Sequence, residues 1–269
     1  MLKQRLLTAL FLIPVVLIIL FYSPYWLFLS LTALVALAAG WEWTYLMEMQ
    51  HSWQRILYLF LLIGSFLLAM SFSAPFIFLL ACIFWLLIIP LVCLYPKMQV
   101  MWSKTYFWRG LMGVAVLMPT WVAINYIHNQ IDGVYVLLFL FILIWGADSC
   151  AYFVGKKWGK HALAKHVSPG KSIEGAIAAI FFAMVLTVLL FIFYRTPWHI
   201  WPYTLLLSIM TVVFSILGDL FESMLKRQAG LKDSGHLLPG HGGLLDRIDS
   251  LTAAAPIFAM GATLLAIFL

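Results

Sequence analysis

The sequence predicts an all-α, polytopic integral membrane protein with about nine transmembrane helices and a cytoplasmic N-terminus. Of its 269 residues, 65% are hydrophobic and only 10% are charged, whereas soluble domains contain about 45–50% apolar and about 25% charged residues. A soluble domain of this length could not cover so many apolar side chains, because much of its surface stays in contact with water. Long apolar runs and a one-sided distribution of basic residues support the same fold class.

Nine apolar runs approach or reach the roughly 20 residues that a helix needs to cross the bilayer core. No small-x-small cleavage site follows the first run, so we expect it to remain as an uncleaved span. In chain order, the runs are Leu6–Tyr22, Tyr25–Leu46, Ile56–Phe72, Pro75–Tyr95, Trp108–Asn125, Val134–Val154, Ile173–Tyr194, His199–Leu220 and Leu251–Leu269.

Basic residues predict the direction of these helices. When the loops are assigned alternately to the two sides, Arg195 is the only one of the 16 Lys and Arg residues on its side. Because cytoplasmic loops carry an excess of Lys and Arg, the N-terminus is predicted to be cytoplasmic and Leu269 to lie outside. The two long loops, at about 155–172 and 221–250, are then cytoplasmic. Their positive charge suits anionic headgroups or a polyanionic substrate.

Acidic residues, glycines and basic residues converge in the second long loop and its flanks. Asp246 and Asp249 are spaced i, i+3, which would place them on one face of a helix. Such a pair suits Mg²⁺, which binds one or two carboxylates together with phosphate oxygens. Glycines let the backbone approach a phosphate, and basic side chains neutralise it. These residues are Gly240, Gly242, Gly243, Lys226, Arg227, Lys232 and Arg247, and Asp219 and Glu222 repeat the acidic spacing.

A second polar group begins inside the sixth span. A carboxylate at the centre of a bilayer helix costs about 2.5–3.5 kcal/mol, so Asp148 is interpreted as a functional residue even though it lies nearer the end of its helix. Residues 170–172 look like the end of a P-loop, but the earlier glycine of that motif is missing. Lys171 is kept as a candidate phosphate ligand. Glu42, near the end of the second span, is assigned an interfacial or helix-packing role.

From Ser223 to Asp249, the sequence resembles the signature of phosphatidate cytidylyltransferases, also called CDP-diacylglycerol synthases, over all 27 residues. The segment from Asp148 to Gly175 is similar to a second stretch of that family, which ends in Ser-Pro-x-Lys-x-x-Glu-Gly. In spans one to five, the resemblance is limited to hydropathy and a Trp-Glu pair. We therefore divide the chain into N-terminal membrane helices, residues 1–130, and a catalytic membrane region, residues 131–269.

The resemblance implies that the chain transfers CMP from CTP to phosphatidate with Mg²⁺, giving CDP-diacylglycerol and pyrophosphate for phospholipid biosynthesis. The expected partners are CTP, phosphatidate and membrane lipids, and no nucleic acid is expected. The resemblance is also compatible with a homodimer. The expected location is the inner membrane of a bacterium, with the active site facing the cytoplasm. Two alternatives stay open: a CTP-dependent polyprenol or phytol kinase, and a transporter of a phosphorylated metabolite, which usually has internal repeats that we do not find.

The resemblance also suggests a role for each motif residue. Metal binding is assigned to Asp219, Asp246 and Asp249, and catalysis to these three residues with Lys226 and Arg227. Because the phosphate of phosphatidate is already an anion near neutral pH, the reaction depends mostly on positioning and on neutralising charge. Substrate binding is assigned to Asp148, Ser168, Lys171, Glu174, Ser223, Lys232, Asp233, His241, Gly242, Gly243 and Arg247.

Overall fold

The computed structural model describes residues 13–97, 106–235, 237 and 242–268. These residues form nine α-helices and one antiparallel hairpin of two strands. The helices are α1 Ile13–Tyr22, α2 Tyr25–Leu46, α3 Ser52–Ala69, α4 Ala74–Cys93, α5 Tyr106–His128, α6 Gly133–Trp158, α7 Ile173–Tyr194, α8 Trp201–Gln228 and α9 Leu245–Phe268. The strands between α6 and α7 are β1 Ala162–Ala164 and β2 Ser168–Ser172, and a 3-10 turn, Trp198–Ile200, precedes α8.

Eight of the described helices, α2 to α9, are long and apolar enough to cross a membrane. Large apolar side chains point outward from them, and Leu68, Leu87 and Phe181 are all more than half exposed. A bilayer is the solvent that suits such a surface, so the predicted polytopic all-α class is confirmed and the chain is an integral membrane protein. The described part of the first predicted span is the shorter helix α1, and the residues before Ile13 lie outside the described range.

The last two helices reach further into the polar motif than the hydropathy predicted. Helix α8 continues to Gln228 instead of ending at Leu220, and α9 begins at Leu245 instead of Leu251. Charged residues are accommodated in α8 because they pair with each other: Glu222 and Lys226, one turn apart, form an ion pair at 3.2 Å. The predicted loop at 221–250 therefore spans only residues 229–244.

Small residues bring the helices of the C-terminal half close together. A Cβ atom on Gly218 of α8 would lie 2.6 Å from the Asp249 carbonyl oxygen on α9, and one on Gly175 of α7 would lie 2.7 Å from the Ala151 carbonyl oxygen on α6. Close backbone contacts of this kind are typical of membrane helices that pack through glycine. They place Asp219, the residue after Gly218, beside the first turns of α9.

The N-terminal helices pack against these motif helices through aromatic side chains. Trp43 on α2 and Trp85 on α4 are buried against Phe221 on α8, with ring centroids 6.4 Å and 5.6 Å from that of Phe221. Aromatic pairs at such separations stabilise a contact beyond their buried area. Helices α2 and α4 therefore form part of the surroundings of the motif. The division of the chain into N-terminal helices, residues 1–130, and a catalytic region, residues 131–269, stays a prediction.

Candidate active site

A cavity of about 820 Å³ lies where the end of β2 and the first turns of α7 and α9 meet α6 and α8. Its lining contains apolar side chains, among them Ile13, Trp145 and Tyr152, together with charged and polar ones. Such a mixed lining suits a molecule that has both apolar and charged parts. The predicted site residues in this lining are Asp148, Lys171, Asp219, Asp246, Arg247 and Asp249.

Asp246 is held on both carboxylate oxygens. Its Oδ1 accepts a hydrogen bond from Lys226 Nζ at 2.6 Å, and its Oδ2 accepts from the backbone N–H groups of Ser234 and Gly243, both at 2.9 Å. The turn that presents Gly243 requires φ +83° at Gly242, a left-handed conformation that favours glycine. Charge-assisted hydrogen bonds of this kind are short and strong, so the orientation of Asp246 is fixed before any ligand binds.

Lys226 neutralises two carboxylates at once. Its Nζ lies 2.6 Å from Asp246 Oδ1 and 3.2 Å from Glu222 Oε1. Glu222 is only 3% exposed, so its contact with Lys226 is a buried ion pair. Because a buried charge is costly unless it is paired, Lys226 stabilises this part of the fold as well as the site.

Lys171 and Asp219 form an ion pair that joins the hairpin to α8. Lys171 lies in β2, and the next residue, Ser172, is the N-cap of α7, whose side chain accepts a hydrogen bond from the Gly175 N–H at 3.1 Å. Asp219 Oδ1 also accepts from Ser223 Oγ at 3.3 Å. Both members of the ion pair remain 27% exposed, so a molecule in the cavity has access to them.

The Asp249 carboxylate lines the same cavity as Asp219. The Ser250 N–H donates to Asp249 Oδ1 at 2.7 Å. Among the described residues, no three acidic, histidine or cysteine side chains form a ready metal-binding group. A divalent cation would therefore need oxygens from a bound molecule as well, which is how Mg²⁺ commonly binds beside phosphates. The two carboxylates fit Mg²⁺ in that shared arrangement.

Glu174 lies outside the lining of the cavity and holds the hairpin in place. Its Oε2 accepts from the backbone N–H groups of Lys160 and His161 at 3.1 Å and 3.3 Å, and its Oε1 lies 2.7 Å from His161 Nδ1. These contacts tie the segment after α6 to the first turn of α7. Glu174 thereby supports the placement of Lys171, three residues earlier.

The remaining predicted site residues have different positions. Arg227 is exposed, and its Nε donates to the Val167 carbonyl oxygen at 3.5 Å. Ser168 begins β2 opposite Ala164. Lys232 and Asp233 are exposed in the loop after α8. The last predicted residue, His241, lies outside the described range.

Glu42 on α2 belongs to the surroundings of the site, although the sequence suggested an interfacial or packing role. It is fully buried, and its Oε2 accepts from the Leu245 N–H at 2.8 Å and from Ser234 Oγ at 3.2 Å. An available signal was the same one that identified Asp148, namely a carboxylate inside an apolar span. Its partners could not be identified because they are 192 and 203 positions away.

Comparisons with known proteins agree with the predicted resemblance. The chain matches the model of the cytidylyltransferase family over residues 3–265. It is 41% identical to the phosphatidate cytidylyltransferase of Haemophilus influenzae, with 96% of this chain and 98% of that protein aligned. It is also 41% identical to the phosphatidate cytidylyltransferase of Pseudomonas aeruginosa, with 96% of each chain aligned. The chain therefore belongs to the cytidylyltransferase family.

Proposed function

We propose that the chain transfers CMP from CTP to phosphatidate, which gives CDP-diacylglycerol and pyrophosphate. The carrying observation is that six predicted motif residues line one cavity, in a chain that is 41% identical over nearly its full length to a phosphatidate cytidylyltransferase. The mixed apolar and charged lining of the cavity also suits this chemistry, because phosphatidate carries a charged head on apolar chains. The two alternatives, a CTP-dependent lipid kinase and a transporter, are not favoured, because both relatives are phosphatidate cytidylyltransferases.

In the proposed reaction, a phosphate oxygen of phosphatidate attacks the α-phosphorus of CTP. A new P–O bond forms there while the bond to the β-phosphate oxygen breaks, and pyrophosphate leaves with the electron pair. Lys171 and Arg247 in the cavity wall neutralise phosphate charge, and Lys226 keeps Asp246 in place. Because the nucleophile is already anionic, these residues act by positioning and by reducing charge repulsion.

We propose Mg²⁺ as the cofactor, held by Asp219 and Asp249 together with phosphate oxygens, with Asp246 completing the acidic wall. The support is that Asp219 and Asp249 line one cavity and offer carboxylate oxygens, the ligands that a hard cation prefers. A bound Mg²⁺ supplies a positive charge that polarises phosphoryl oxygens. The side chains that line the cavity position the phosphates of the substrates and keep the acidic residues in place.

The proposed reaction is tested with CTP labelled on the α-phosphate in one tube and on the γ-phosphate in another. We expect the α-label to enter the lipid phase and the γ-label to remain in water as pyrophosphate. Omission of phosphatidate is the control and should leave both labels in water. With phytol or a polyprenol in place of phosphatidate, a γ-label in the lipid would instead indicate the kinase, and no lipid label with any of these lipids would favour the transporter.

We also propose that the site faces the cytoplasm of a bacterial inner membrane, with the N-terminus on the same side. The support is the concentration of basic residues at the motif end of the helices, including Lys156 and Lys171 in the cavity wall. A reporter enzyme that is active only outside the cytoplasm should be active when fused after Leu269. The same reporter inserted after Lys160 should be inactive, and the reverse pattern would contradict this orientation.

A further inference from the structure

Glu42 contacts the same two segments that hold Asp246. Ser234 donates its side-chain O–H to Glu42 Oε2 at 3.2 Å and its backbone N–H to Asp246 Oδ2 at 2.9 Å. At the start of α9, Leu245 donates its N–H to Glu42 Oε2 at 2.8 Å, and Gly243 donates its N–H to Asp246 Oδ2 at 2.9 Å. The two carboxylates therefore hold the loop after α8 and the beginning of α9 from two sides.

The charge of Glu42 suits the helix end that it contacts. Leu245 is the first residue of α9, and the first N–H groups of a helix have no partner within the helix. A carboxylate at this end also interacts favourably with the helix dipole. Because Glu42 is fully buried, an apolar residue would fill the same space at a lower desolvation cost. Its carboxylate therefore contributes a defined geometry and not merely packing.

Two glycines allow the loop to approach Glu42 this closely. A Cβ atom on Gly235 would overlap Glu42 Oε1, and one on Gly243 would overlap Ser234 Oγ and lie 2.6 Å from Glu42 Oε2. Glu42 Oε1 is buried and has no hydrogen-bond partner among the described residues. The carboxylate thus fits tightly against the loop, and a small displacement of either one would move the N–H groups that orient Asp246.

We propose that Glu42 is a positioning residue: through Ser234 and the first turn of α9, it sets the orientation of Asp246 in the active site. This inference rests on the proposed function, and it extends the site from the C-terminal motif to α2 in the N-terminal half. A displaced Asp246 affects the arrangement of charge in the transition state more than it affects the binding of either substrate. The effect should therefore appear in kcat and not in KM.

The first test compares the kinetics of Glu42→Ala, Glu42→Gln and Glu48→Gln in the full-length protein. Loss of a group that orients an active-site carboxylate typically reduces activity about 10- to 100-fold, and we expect that loss of kcat for Glu42→Ala. The amide of Glu42→Gln can still accept from Leu245, so this variant should retain a kcat between those of Glu42→Ala and the wild type. Both KM values should change less than about twofold.

Glu48→Gln is the matched control because it also removes one carboxylate near the end of α2. Glu48 pairs with Arg109 at 2.6 Å and is 48% exposed, and it makes no part of the proposed contact with the loop. Its kcat should equal that of the wild type. The amount and melting temperature of the purified protein are measured for every variant, so that turnover is expressed per folded molecule.

The second test measures the loop without substrates. Lys232 lies exposed in the loop after α8, so trypsin can cut there when the loop opens. Cleavage after Lys232 should be faster in Glu42→Gln and in Ser234→Ala than in the wild type. Cleavage after Lys157, which is exposed at the end of α6, should be unchanged and serves as the internal control.

Three results would overturn the proposal. These are a wild-type kcat in Glu42→Ala, a raised KM for CTP with an unchanged kcat, and a wild-type rate of cleavage after Lys232 in Glu42→Gln. The failure of the proposed function is a separate result, because the wild-type protein would then form no CDP-diacylglycerol. The trypsin comparison would still decide in that case whether Glu42 holds the loop.

Discussion

The Asp249→Asn variant should lose turnover and yet unfold at a temperature no lower than that of the wild type. Loss of one group that stabilises transition-state charge costs about 10²- to 10³-fold in kcat, and we expect a loss of that size. The stability should not fall, because a neutral amide is less costly to desolvate than a carboxylate at the half-buried position of Asp249. Asn keeps the shape of the side chain and its acceptor for the Ser250 N–H while it removes the charge.

The measurement combines steady-state turnover with melting temperatures in detergent, each with EDTA and with Mg²⁺. A cation that binds only the folded protein raises the melting temperature, so Mg²⁺ should stabilise the wild type more than Asp249→Asn. Asp132→Asn, in the turn between α5 and α6, is the control and should keep the wild-type values. A near-wild-type rate for Asp249→Asn would remove this residue from the proposed metal site.

The Lys226→Met variant should lose both turnover and stability. Its Nζ is the shared partner of Glu222 and Asp246, and the side chain is only 11% exposed. Removal of one partner from a buried ion pair costs about 3–5 kcal/mol, because the remaining charge stays buried without compensation. Asp246 also loses the hydrogen bond on Oδ1 that fixes its orientation. We expect at least a several-fold decrease in kcat, in addition to a lower melting temperature.

A double variant separates the two effects of Lys226. Lys226→Met combined with Glu222→Gln removes the uncompensated carboxylate, so it should recover part of the melting temperature but none of the turnover. Lys157→Met is the control, because Lys157 is exposed at the end of α6 and lies over the ring of Trp158. Wild-type kinetics in folded Lys226→Met would show that Lys226 does not act in catalysis. Its charge would then serve only to orient the helices in the membrane.

Helices α2 to α9 could be predicted from hydropathy because each contains an apolar sequence long enough to cross a membrane, whereas the C-terminal end of α8 and the start of α9 could not. An average over a sequence window counts Glu222 and Lys226 as polar, although burial and pairing make them compatible with a continuing helix. The hairpin was also missed. Its strands have three and five residues, and β2 contains Pro169 and Gly170, which are unfavourable in strands.

The site could be predicted where the chemistry follows from local spacing or from the family signature. Asp246 and Asp249 lie on α9 and line the cavity, as the i, i+3 spacing indicated. The ion pair of Lys171 with Asp219 depends on how the hairpin meets α8, which no local pattern encodes. The role of Glu42 could not be predicted for the same reason, because it depends on α2 lying beside the start of α9.

The contact between Glu42 and Ser234 joins residues 192 positions apart, so the ribosome completes one long before the other. At roughly 5–20 residues per second, the interval between them lasts on the order of 10–40 s. Throughout that time, α2 is available for membrane insertion while its carboxylate has none of its final hydrogen-bond donors. Helix α9, which is synthesised after α1 to α8, supplies the Leu245 N–H. A nascent chain that stops before α9 can therefore insert its earlier helices but cannot assemble the candidate active site.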